Sequence, residues 1–265
     1  MNCVDKLADL KRRIFEKGSV LIAFSGGVDS SLLAKIATES LGADALCVIL
    51  DMEAMPRSEL QHAVALAQFM GLNYRVERCS VLGKESFIEN PPTRCYICKK
   101  ECIKVLKRLA VEEGISSIAD GVNLSDYGDY RPGIAACDEE GIWHPFVDAK
   151  ISKEDIRAIC RSMDLPFWNK PSAACLASRI PYGDRITGER LAMVEQAEDY
   201  LKGIGFSQVR VRAHGQIARI EVLKGEMEKA STFGDEISKG LRRIGFQYVT
   251  LDLQGFRSGS MNEVL

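Results

Sequence analysis

The chain has 265 residues, a formal net charge of −2, and a composition that is 46% hydrophobic and 27% charged. These values are ordinary for a globular protein and argue against a disordered chain, a collagen or a membrane channel. A charge close to zero also argues against a broad nucleic-acid interface, so we expect no nucleic-acid partner. The apolar runs are too short to span a bilayer, and the first residues lack the apolar core of a signal peptide. We therefore expect a cytoplasmic protein with no membrane partner.

The first 120 residues alternate between helical periodicity and short apolar runs. The pattern predicts helices over 4–16, 31–37, 57–70 and 95–113, and strands over 19–24, 45–50, 74–76 and 115–119. Strands that alternate with helices build βαβ units, in which a parallel sheet is covered on both faces. The sequence therefore predicts an α/β fold with a parallel sheet flanked by helices.

The remainder of the chain follows a different pattern. Residues 122–150 have the composition of a loop, and Ser152 is placed to cap a helix over 152–163. No period is present over 166–188, which predicts a long functional loop that carries Cys175. A small α+β domain is predicted from a helix at 191–201, strands at 208–213 and 216–222, a helix at 226–243 and a strand at 247–253. The predicted segments are therefore 1–165, 166–188, 189–255 and a mobile tail at 256–265.

A glycine- and serine-rich loop joins the first predicted strand to the next helix. Gly26 and Gly27 allow the backbone to approach a phosphate closely, and Ser25 and Ser30 supply hydroxyl groups. The helix that follows directs its free N–H groups and the positive end of its dipole at the same place. Asp29 is unsuited to bind an anion directly, so it either holds Mg²⁺ or caps the helix. A serine-capped turn without a ligand is the alternative.

This Ser-Gly-Gly-x-Asp-Ser segment resembles the pyrophosphate loop (PP-loop) of the ATP pyrophosphatase superfamily. The resemblance implies a PP-loop domain over 1–165 that cleaves ATP between the α and β phosphates and leaves an adenylated substrate. It also implies that Met55 lies near the adenine, although Met55 is equally compatible with core packing. Gly121, in Asp-Gly-Val-Asn after the fourth strand, would close over the nucleotide.

Nine cysteines in a reducing compartment do not predict a disulfide framework, so we expect some of them to be metal ligands or reactive thiols. Cys95 and Cys98 form a Cys-x-x-Cys pair, which can bind a metal or cluster or act as a redox dithiol. Three thiolates can hold three irons of a [4Fe–4S] cluster and leave the fourth iron open. Cys175 is one candidate for the third thiolate. Cys102 is another, because it follows the pair at helical spacing, but a small core residue is the favoured interpretation of Cys102.

Five segments together resemble the ATP-dependent sulfur transferases of nickel-pincer nucleotide cofactor synthesis, the LarE family. They are residues 23–30 (AFSGGVDS), 120–123 (DGVN), 129–133 (DYRPG), 170–183 (KPSAACLASRIPYG) and 209–215 (VRVRAHG). In that family the cysteine that matches Cys175 donates sulfur, and some members lose its sulfur irreversibly. Others have two further cysteines, at the places of Cys95 and Cys98, and bind a [4Fe–4S] cluster. This sequence resembles the kind with three cysteines.

The resemblance implies a reaction in two steps. A carboxylate of pyridinium-3,5-biscarboxylic acid mononucleotide is first adenylated by ATP with Mg²⁺. A sulfur nucleophile then replaces AMP and leaves a thiocarboxylate. On the substrate side, Arg210 and Arg212 alternate with valines on a strand, so both guanidinium groups leave one face and suit a nucleotide phosphate. Arg179 either binds phosphate or tunes Cys175, and Glu195 and Glu198 are expected to face solvent.

Three other functions remain open at this stage. The first is a cluster-dependent tRNA thiolase of the same superfamily, which the low charge and the 7% aromatic content support poorly. The second is an amide synthetase that uses ammonia, for which three cysteines would have no purpose. The third is a non-catalytic nucleotide-binding module regulated by metal or redox state. Arginines on a small second domain also suggest a site shared between subunits, so we expect a homo-oligomer.

Overall fold

The computed structural model describes residues 2–128, 131–171 and 173–257. Asp129, Tyr130 and Ser172 of two family segments, and residues 258–265 of the predicted mobile tail, lie outside these ranges. The chain forms two compact units. The first unit contains the chain up to Val81 together with Cys95–Ala173, and the second contains Leu82–Arg94 together with the chain from Ala174 onward. The division of the chain into the four segments 1–165, 166–188, 189–255 and 256–265 stays a prediction.

The predicted helices and strands are present in their predicted order, together with three short helices that the sequence did not predict. The helices are α1 (Cys3–Lys17), α2 (Val28–Leu41), α3 (Arg57–Phe69), α4 (Glu85–Ile88), α5 (Arg94–Glu112), α6 (Pro132–Glu139), α7 (Pro145–Asp148), α8 (Lys153–Ser162), α9 (Gly188–Gly203), α10 (Met227–Thr232) and α11 (Gly234–Ile244). The strands are β1 (Val20–Ala23), β2 (Ala45–Asp51), β3 (Tyr74–Arg78), β4 (Ile118–Ala119), β5 (Val209–His214), β6 (Ile217–Val222) and β7 (Tyr248–Leu251). Among the described residues, none of the helices has the length and apolar character needed to cross a membrane.

The first unit is built on a parallel sheet with the strand order β3-β2-β1-β4. Alternate residues of a strand point to opposite faces, and both faces are buried here. Val20 and Ile22 of β1 pack with apolar residues of α1, α2, α3 and α8 on one face. Leu21 of the same strand packs with α5 on the other face. The predicted α/β fold, with a parallel sheet flanked by helices, is confirmed.

Two local predictions have different outcomes. Ser152 caps α8 through a capping box, in which its side chain accepts from the Asp155 N–H and the Asp155 carboxylate accepts from the Ser152 N–H. The loop predicted over 122–150 is wrong in part, because α6 and α7 both form there. Each begins with a proline at its first or second helical position, where the missing N–H costs nothing. Both helices are too short for periodicity to reveal them.

The second unit contains a mixed sheet. Strands β5 and β6 form an antiparallel hairpin, and β7 pairs in parallel with β6. Helices α9 and α11 pack against this sheet and against each other. The predicted helix over 226–243 is divided at Phe233 into α10 and α11. The small C-terminal α+β fold is confirmed.

Residues Leu82–Arg94 join the second unit through the buried side chain of Asn90. Its amide nitrogen donates to the carbonyl oxygens of Pro181 at 2.6 Å and Asp184 at 3.0 Å. Its amide oxygen accepts from the Arg94 guanidinium at 2.6 Å. A fully buried amide is stable only when its polar atoms have partners, so this side chain fixes the segment to residues 180–186. Sequence order alone does not indicate this association.

Candidate active site

The predicted phosphate loop follows β1, at the carboxyl edge of the parallel sheet. Ser31 N–H donates to the Gly27 carbonyl at 2.9 Å, which is the first helical hydrogen bond of α2. The N–H groups before it have no partner within the helix and are available to an anion. The Ser30 hydroxyl donates to the Gly27 carbonyl at 3.2 Å and accepts from the Ser25 N–H at 3.2 Å. These two contacts hold the loop in an open turn around its N–H groups.

Two glycines of the predicted site are required by close packing. Gly26 has φ = +68°, and a Cβ atom there would lie 2.9 Å from the Cα atom of Ala63 in α3. At Gly121, a Cβ atom would lie 2.9 Å from the Ser30 nitrogen. Distances below 3.0 Å are not tolerated next to backbone. The loop is therefore enclosed by α3 on one side and by the residues after β4 on another.

Two lysines from later in the chain reach this loop. The Lys153 ammonium contacts both carboxylate oxygens of Asp29, at 2.7 and 2.6 Å. A divalent cation on Asp29 would have to replace that contact. The Lys170 ammonium lies 3.2 Å from the Gly26 carbonyl oxygen and 2.8 Å from Oε2 of Glu59. In the sequence, Lys170 is notable only as the first residue of the segment 170–183, and its contact with the loop was not predicted.

A polar cavity of about 310 Å³ lies at the carboxyl ends of β2 and β3. It is lined by Asp51, Glu53, Arg57 and Arg78. Arg57 forms an ion pair with Asp51 and donates to the Met55 carbonyl at 3.1 Å. The segment that carries Met55 is thereby fixed beside the cavity, and contact of Met55 with adenine stays a prediction.

Asp120, at the end of β4, is the centre of a buried polar cluster. Its carboxylate contacts Nδ1 of His144 at 2.7 Å and the Lys99 ammonium at 3.3 Å, and it accepts from the Val122 N–H at 3.1 Å. Burial alone would raise the pKa of Asp120, but these partners, His144 foremost, lower it to about 2. Burial opposes the charged form of His144, but the hydrogen bond and charge of Asp120, together with those of Asp138, outweigh it, so the pKa of His144 is raised. The cluster connects the loop of Gly121 to helix α5.

The Cys-x-x-Cys pair lies in the first turns of α5. Cys95 is exposed, Cys98 is partly buried, and all nine cysteines of the described chain are unbridged. Cys102 is buried, with its sulfur 3.4 Å from the Met52 sulfur and 3.9 Å from the Cys79 sulfur. A hydrogen bond with Cys102 lowers the pKa of Cys98 against the opposing effect of burial. Within the described residues, no group of three or more His, Cys, Asp or Glu side chains is arranged to hold a metal ion.

In the second unit, Cys175 is exposed and its backbone is held by Arg179. The Arg179 guanidinium donates through Nη1 to the carbonyl oxygens of Ala174 at 2.8 Å and Cys175 at 2.9 Å. Its other edge forms a bidentate pair with Glu198, at 2.8 and 3.0 Å. The expectation that Glu198 faces solvent is wrong, since Glu198 is only 2% exposed. Position 198 lies on the apolar face of α9 with Leu191 and Leu201, which was the available signal.

The two arginines of β5 occupy different environments. Arg212 is buried in a bidentate pair with Glu221, at 3.0 and 2.8 Å, and donates to the Ser178 carbonyl at 2.9 Å. Arg210 is half-buried, donates to its neighbour Val209, and forms no ion pair among the described residues. Burial and the nearby Arg179 lower the pKa of Arg210. Arg179 and Arg212 have carboxylate partners within the protein, so Arg210 is the predicted phosphate ligand with the most available guanidinium.

Comparison with known proteins places the chain in a family. Residues 4–82 match the NAD synthase family. A pyridinium-3,5-bisthiocarboxylic acid mononucleotide synthase of Lactiplantibacillus plantarum is 38% identical, over 99% of this chain and 93% of that protein. An uncharacterised protein of Synechocystis sp. is 41% identical, over 98% of this chain and 98% of that protein. An uncharacterised protein of Methanocaldococcus jannaschii is 31% identical, over 96% of this chain and 98% of that protein.

The similarity to the Lactiplantibacillus synthase extends over both units and confirms the resemblance that the five sequence segments indicated. It also agrees with the PP-loop domain of the first unit, whose loop and parallel sheet are described above. The chain is therefore an ATP-dependent, sulfur-transferring enzyme and belongs to the LarE family of sulfur transferases.

Proposed function

We propose that this enzyme adenylates a carboxylate of pyridinium-3,5-biscarboxylic acid mononucleotide and converts it to a thiocarboxylate. The observation that carries the proposal is the 38% identity to the Lactiplantibacillus synthase along 99% of this chain. A likeness confined to the ATP domain would support only the cleavage of ATP. The likeness here extends through the residues around Cys175 and β5, where sulfur and substrate are expected to bind.

The first unit supplies the groups for adenylation. A substrate carboxylate oxygen attacks the α-phosphorus of ATP, and the bond from that phosphorus to the bridging oxygen breaks, so pyrophosphate leaves. The N–H groups at the start of α2 are suited to hold the phosphates, because the contacts of the Ser30 hydroxyl fix the partly buried loop around them. Asp29 would hold Mg²⁺, which supplies charge neutralisation on the phosphates.

The second step transfers sulfur to the activated acyl carbon and releases AMP. Cys175 is the proposed sulfur carrier, since its side chain is exposed while its carbonyl oxygen accepts from Arg179 at 2.9 Å and from the Ser178 hydroxyl at 2.7 Å. A nucleophile acts best when its backbone is fixed and its reacting atom is accessible. Arg210 is proposed to bind the substrate phosphate, with Arg179 and Arg212 shaping the site around it.

We further propose that Cys95, Cys98 and Cys175 hold a [4Fe–4S] cluster. The donor chemistry of the pair fits, because Cys95 and Cys98 are reduced thiols three residues apart near the start of α5. With three thiolate ligands, a bound cluster would keep one iron open for a sulfur ligand. If the cluster is not used, Cys175 would give up its own sulfur and become dehydroalanine.

Anaerobic purification, with iron and sulfide counted, tests these assignments together with an assay of thiocarboxylate formation. The Cys95→Ser and Cys175→Ala variants should lose iron and sulfur transfer while they keep ATP-dependent pyrophosphate release. Cys102→Ala is the matched control on the same helix and should retain both. Loss of iron in Cys102→Ala but not in Cys175→Ala would move the third ligand to α5. A mass decrease of Cys175 equal to hydrogen sulfide after turnover would show that the cysteine is consumed.

Two other expectations remain proposals. We infer a homo-oligomer, which sedimentation equilibrium would test, and a cytoplasmic location. Formation of pyrophosphate without any thiocarboxylate product, under anaerobic conditions with sulfide supplied, would contradict the proposed function.

A further inference from the structure

We propose that Lys170 is a catalytic residue of the ATP site, whose ammonium group binds the pyrophosphate part of ATP and neutralises it as it leaves. The inference rests on the ATP-cleaving step of the proposed function. It does not depend on which carboxylate is adenylated. Lys170 lies outside the phosphate loop and is not part of its sequence motif.

The phosphate loop has no cation of its own. Residues 25–31 contain one carboxylate, Asp29, and no lysine or arginine. The N–H groups and hydroxyls of the loop are neutral dipoles, whereas cleavage of ATP places additional negative charge on the bridging oxygen of the departing pyrophosphate. Fixed charges directed at the place where charge develops are usually the largest contribution to such a step. A cation is therefore expected to reach this loop from elsewhere in the chain.

Lys170 is placed to be that cation. Its ammonium lies 3.2 Å from the carbonyl oxygen of Gly26, a residue of the loop, and 2.8 Å from Oε2 of Glu59. The side chain is only 16% exposed, so the charge acts in a partly desolvated environment. An ammonium group has three N–H donors, and these two oxygens are its partners among the described residues. The third donor is available to a phosphate oxygen held by the same loop.

The position of Lys170 is fixed by the fold. Its N–H donates to the Phe167 carbonyl at 3.0 Å, and Phe167 is 5% exposed within the apolar core of the first unit. Glu59 lies one turn before Ala63 on α3, and Gly26 packs directly against Ala63. The loop, α3 and the turn at 167–170 therefore meet at one point. A preorganised ammonium loses little entropy when it binds a phosphate.

Lys153, the other lysine at the loop, is less suited to this role. Both carboxylate oxygens of Asp29 are engaged by the Lys153 ammonium, at 2.7 and 2.6 Å. The proposed Mg²⁺ on Asp29 would replace this contact, so Lys153 would have to move when the metal binds and is not a fixed cation of the loop. Lys170 contacts a neutral carbonyl oxygen of the loop, and its carboxylate partner Glu59 belongs to α3.

In the proposed step no proton is transferred to or from Lys170. The carboxylate oxygen forms its bond to the α-phosphorus, and the bond from that phosphorus to the bridging oxygen breaks. The electron pair of the broken bond remains on the bridging oxygen, which becomes a terminal oxygen of pyrophosphate. Lys170 stays protonated and strengthens its hydrogen bond to the pyrophosphate as that charge forms.

The test compares Lys170→Met with Glu59→Gln in the full-length protein. Calorimetry measures binding of magnesium pyrophosphate, which needs no carboxylate acceptor, and a turnover assay measures pyrophosphate release from ATP. For Lys170→Met we expect pyrophosphate binding to weaken by about tenfold or more, the equivalent of one charged hydrogen bond. We expect kcat to fall by about 100-fold, with a smaller change in KM for ATP. Glu59→Gln keeps the ammonium and should keep both properties within about threefold.

Lys35→Met is the matched control, since Lys35 lies on α2 and its ammonium pairs with Glu39 at 3.4 Å on the helix surface. It should bind pyrophosphate as the unchanged protein does. Thermal unfolding verifies that each variant is folded, and Lys170→Gln replaces Lys170→Met if the latter is not. A purely structural ion pair predicts equal losses in Lys170→Met and Glu59→Gln, and that result would overturn the proposal.

Normal pyrophosphate binding by Lys170→Met would also overturn it. The outcome for the proposed function is separate. A protein that binds pyrophosphate through Lys170, yet releases none from ATP with the pyridinium dicarboxylate, would retain this inference and reject that function.

Discussion

Replacement of Arg179 by leucine should destabilise the second unit more than any surface substitution. The change leaves the Glu198 carboxylate, 2% exposed, with the Val211 N–H at 3.0 Å as its remaining hydrogen bond among those described here. Removing one partner of a buried ion pair costs about 3–5 kcal/mol, because the other charge stays buried without compensation. The Ala174 carbonyl oxygen loses its Arg179 donor as well, and the Cys175 carbonyl oxygen keeps only its donors from Ser178. We therefore expect the free energy of unfolding to fall by at least about 3 kcal/mol.

Urea unfolding followed by far-ultraviolet circular dichroism measures this loss. Tryptophan fluorescence would report only on the first unit, because both tryptophans, Trp143 and Trp168, belong to it. Hydrogen exchange at the Val211 amide therefore provides the readout within the second unit. Arg190→Leu is the control on α9, since its ion pair with Asp184 is long, at 3.7 Å, and both side chains are more than 30% exposed. That control should lose less than about 1 kcal/mol.

The double variant Arg179→Leu with Glu198→Leu separates the buried charge from the lost packing. Replacement of both partners by apolar residues removes the uncompensated carboxylate, so it should recover much of the stability lost in the single variant. Failure of the double variant to recover stability, or a loss below about 1 kcal/mol in the single one, would refute this reasoning.

The remaining predictions concern the first unit. Gly26→Ala should abolish ATP binding in a filter or calorimetric assay, because its Cβ would lie 2.9 Å from the backbone of Ala63. Gly18→Ala is the control, since Gly18 has φ = +73° and nothing within 4 Å of a Cβ atom there. It should lower the free energy of unfolding by only about 1 kcal/mol and leave ATP binding intact. If Gly26→Ala binds ATP normally, the close packing of the loop has no functional role. The raised pKa of His144 means that its contribution to stability is fully present below its ordinary value of 6.5 and is lost as the pH rises through its value in the folded protein. The lowered pKa of Asp120, about 2, means the opposite: its contribution is present above 3.8 and is lost as the pH falls toward 2. Urea unfolding between about pH 6.5 and 8.5 should show stability falling with pH, and His144→Gln should remove that slope. An unchanged slope in the variant would assign it to another group.

Features carried by local sequence were predictable from the sequence. Alternation of apolar runs with helical periodicity predicts the parallel sheet, since each βαβ unit is a local pattern with its own signal. The phosphate loop was equally accessible, because its glycines, serines and following helix are contiguous between 25 and 41. The capping box of Ser152 and Asp155 spans only four residues.

Features that depend on long-range partners were not predictable from one sequence. The apolar face of α9 indicates that position 198 is buried, but no local pattern identifies Arg179, 19 positions earlier, as the partner of Glu198. Lys170 reaches Gly26 across 144 positions. The Cys79 sulfur lies 3.9 Å from that of Cys102, which is 23 positions later in the chain. Each contact depends on how distant segments meet, and periodicity has no information about this.

Because Leu82–Arg94 belongs to the second unit, the polypeptide passes between the two units three times, after Val81, after Arg94 and after Ala173. A protein truncated at residue 173 would retain Asn90 but lose the carbonyl oxygens of Pro181 and Asp184 that satisfy it, and an amide stranded in this way promotes misfolding and aggregation. Exchange of the C-terminal segment from Ala174 onward between related enzymes faces the same obstacle. A functional chimera would have to transplant the thirteen-residue insert Leu82–Arg94 together with that segment, so the two are expected to be inherited together.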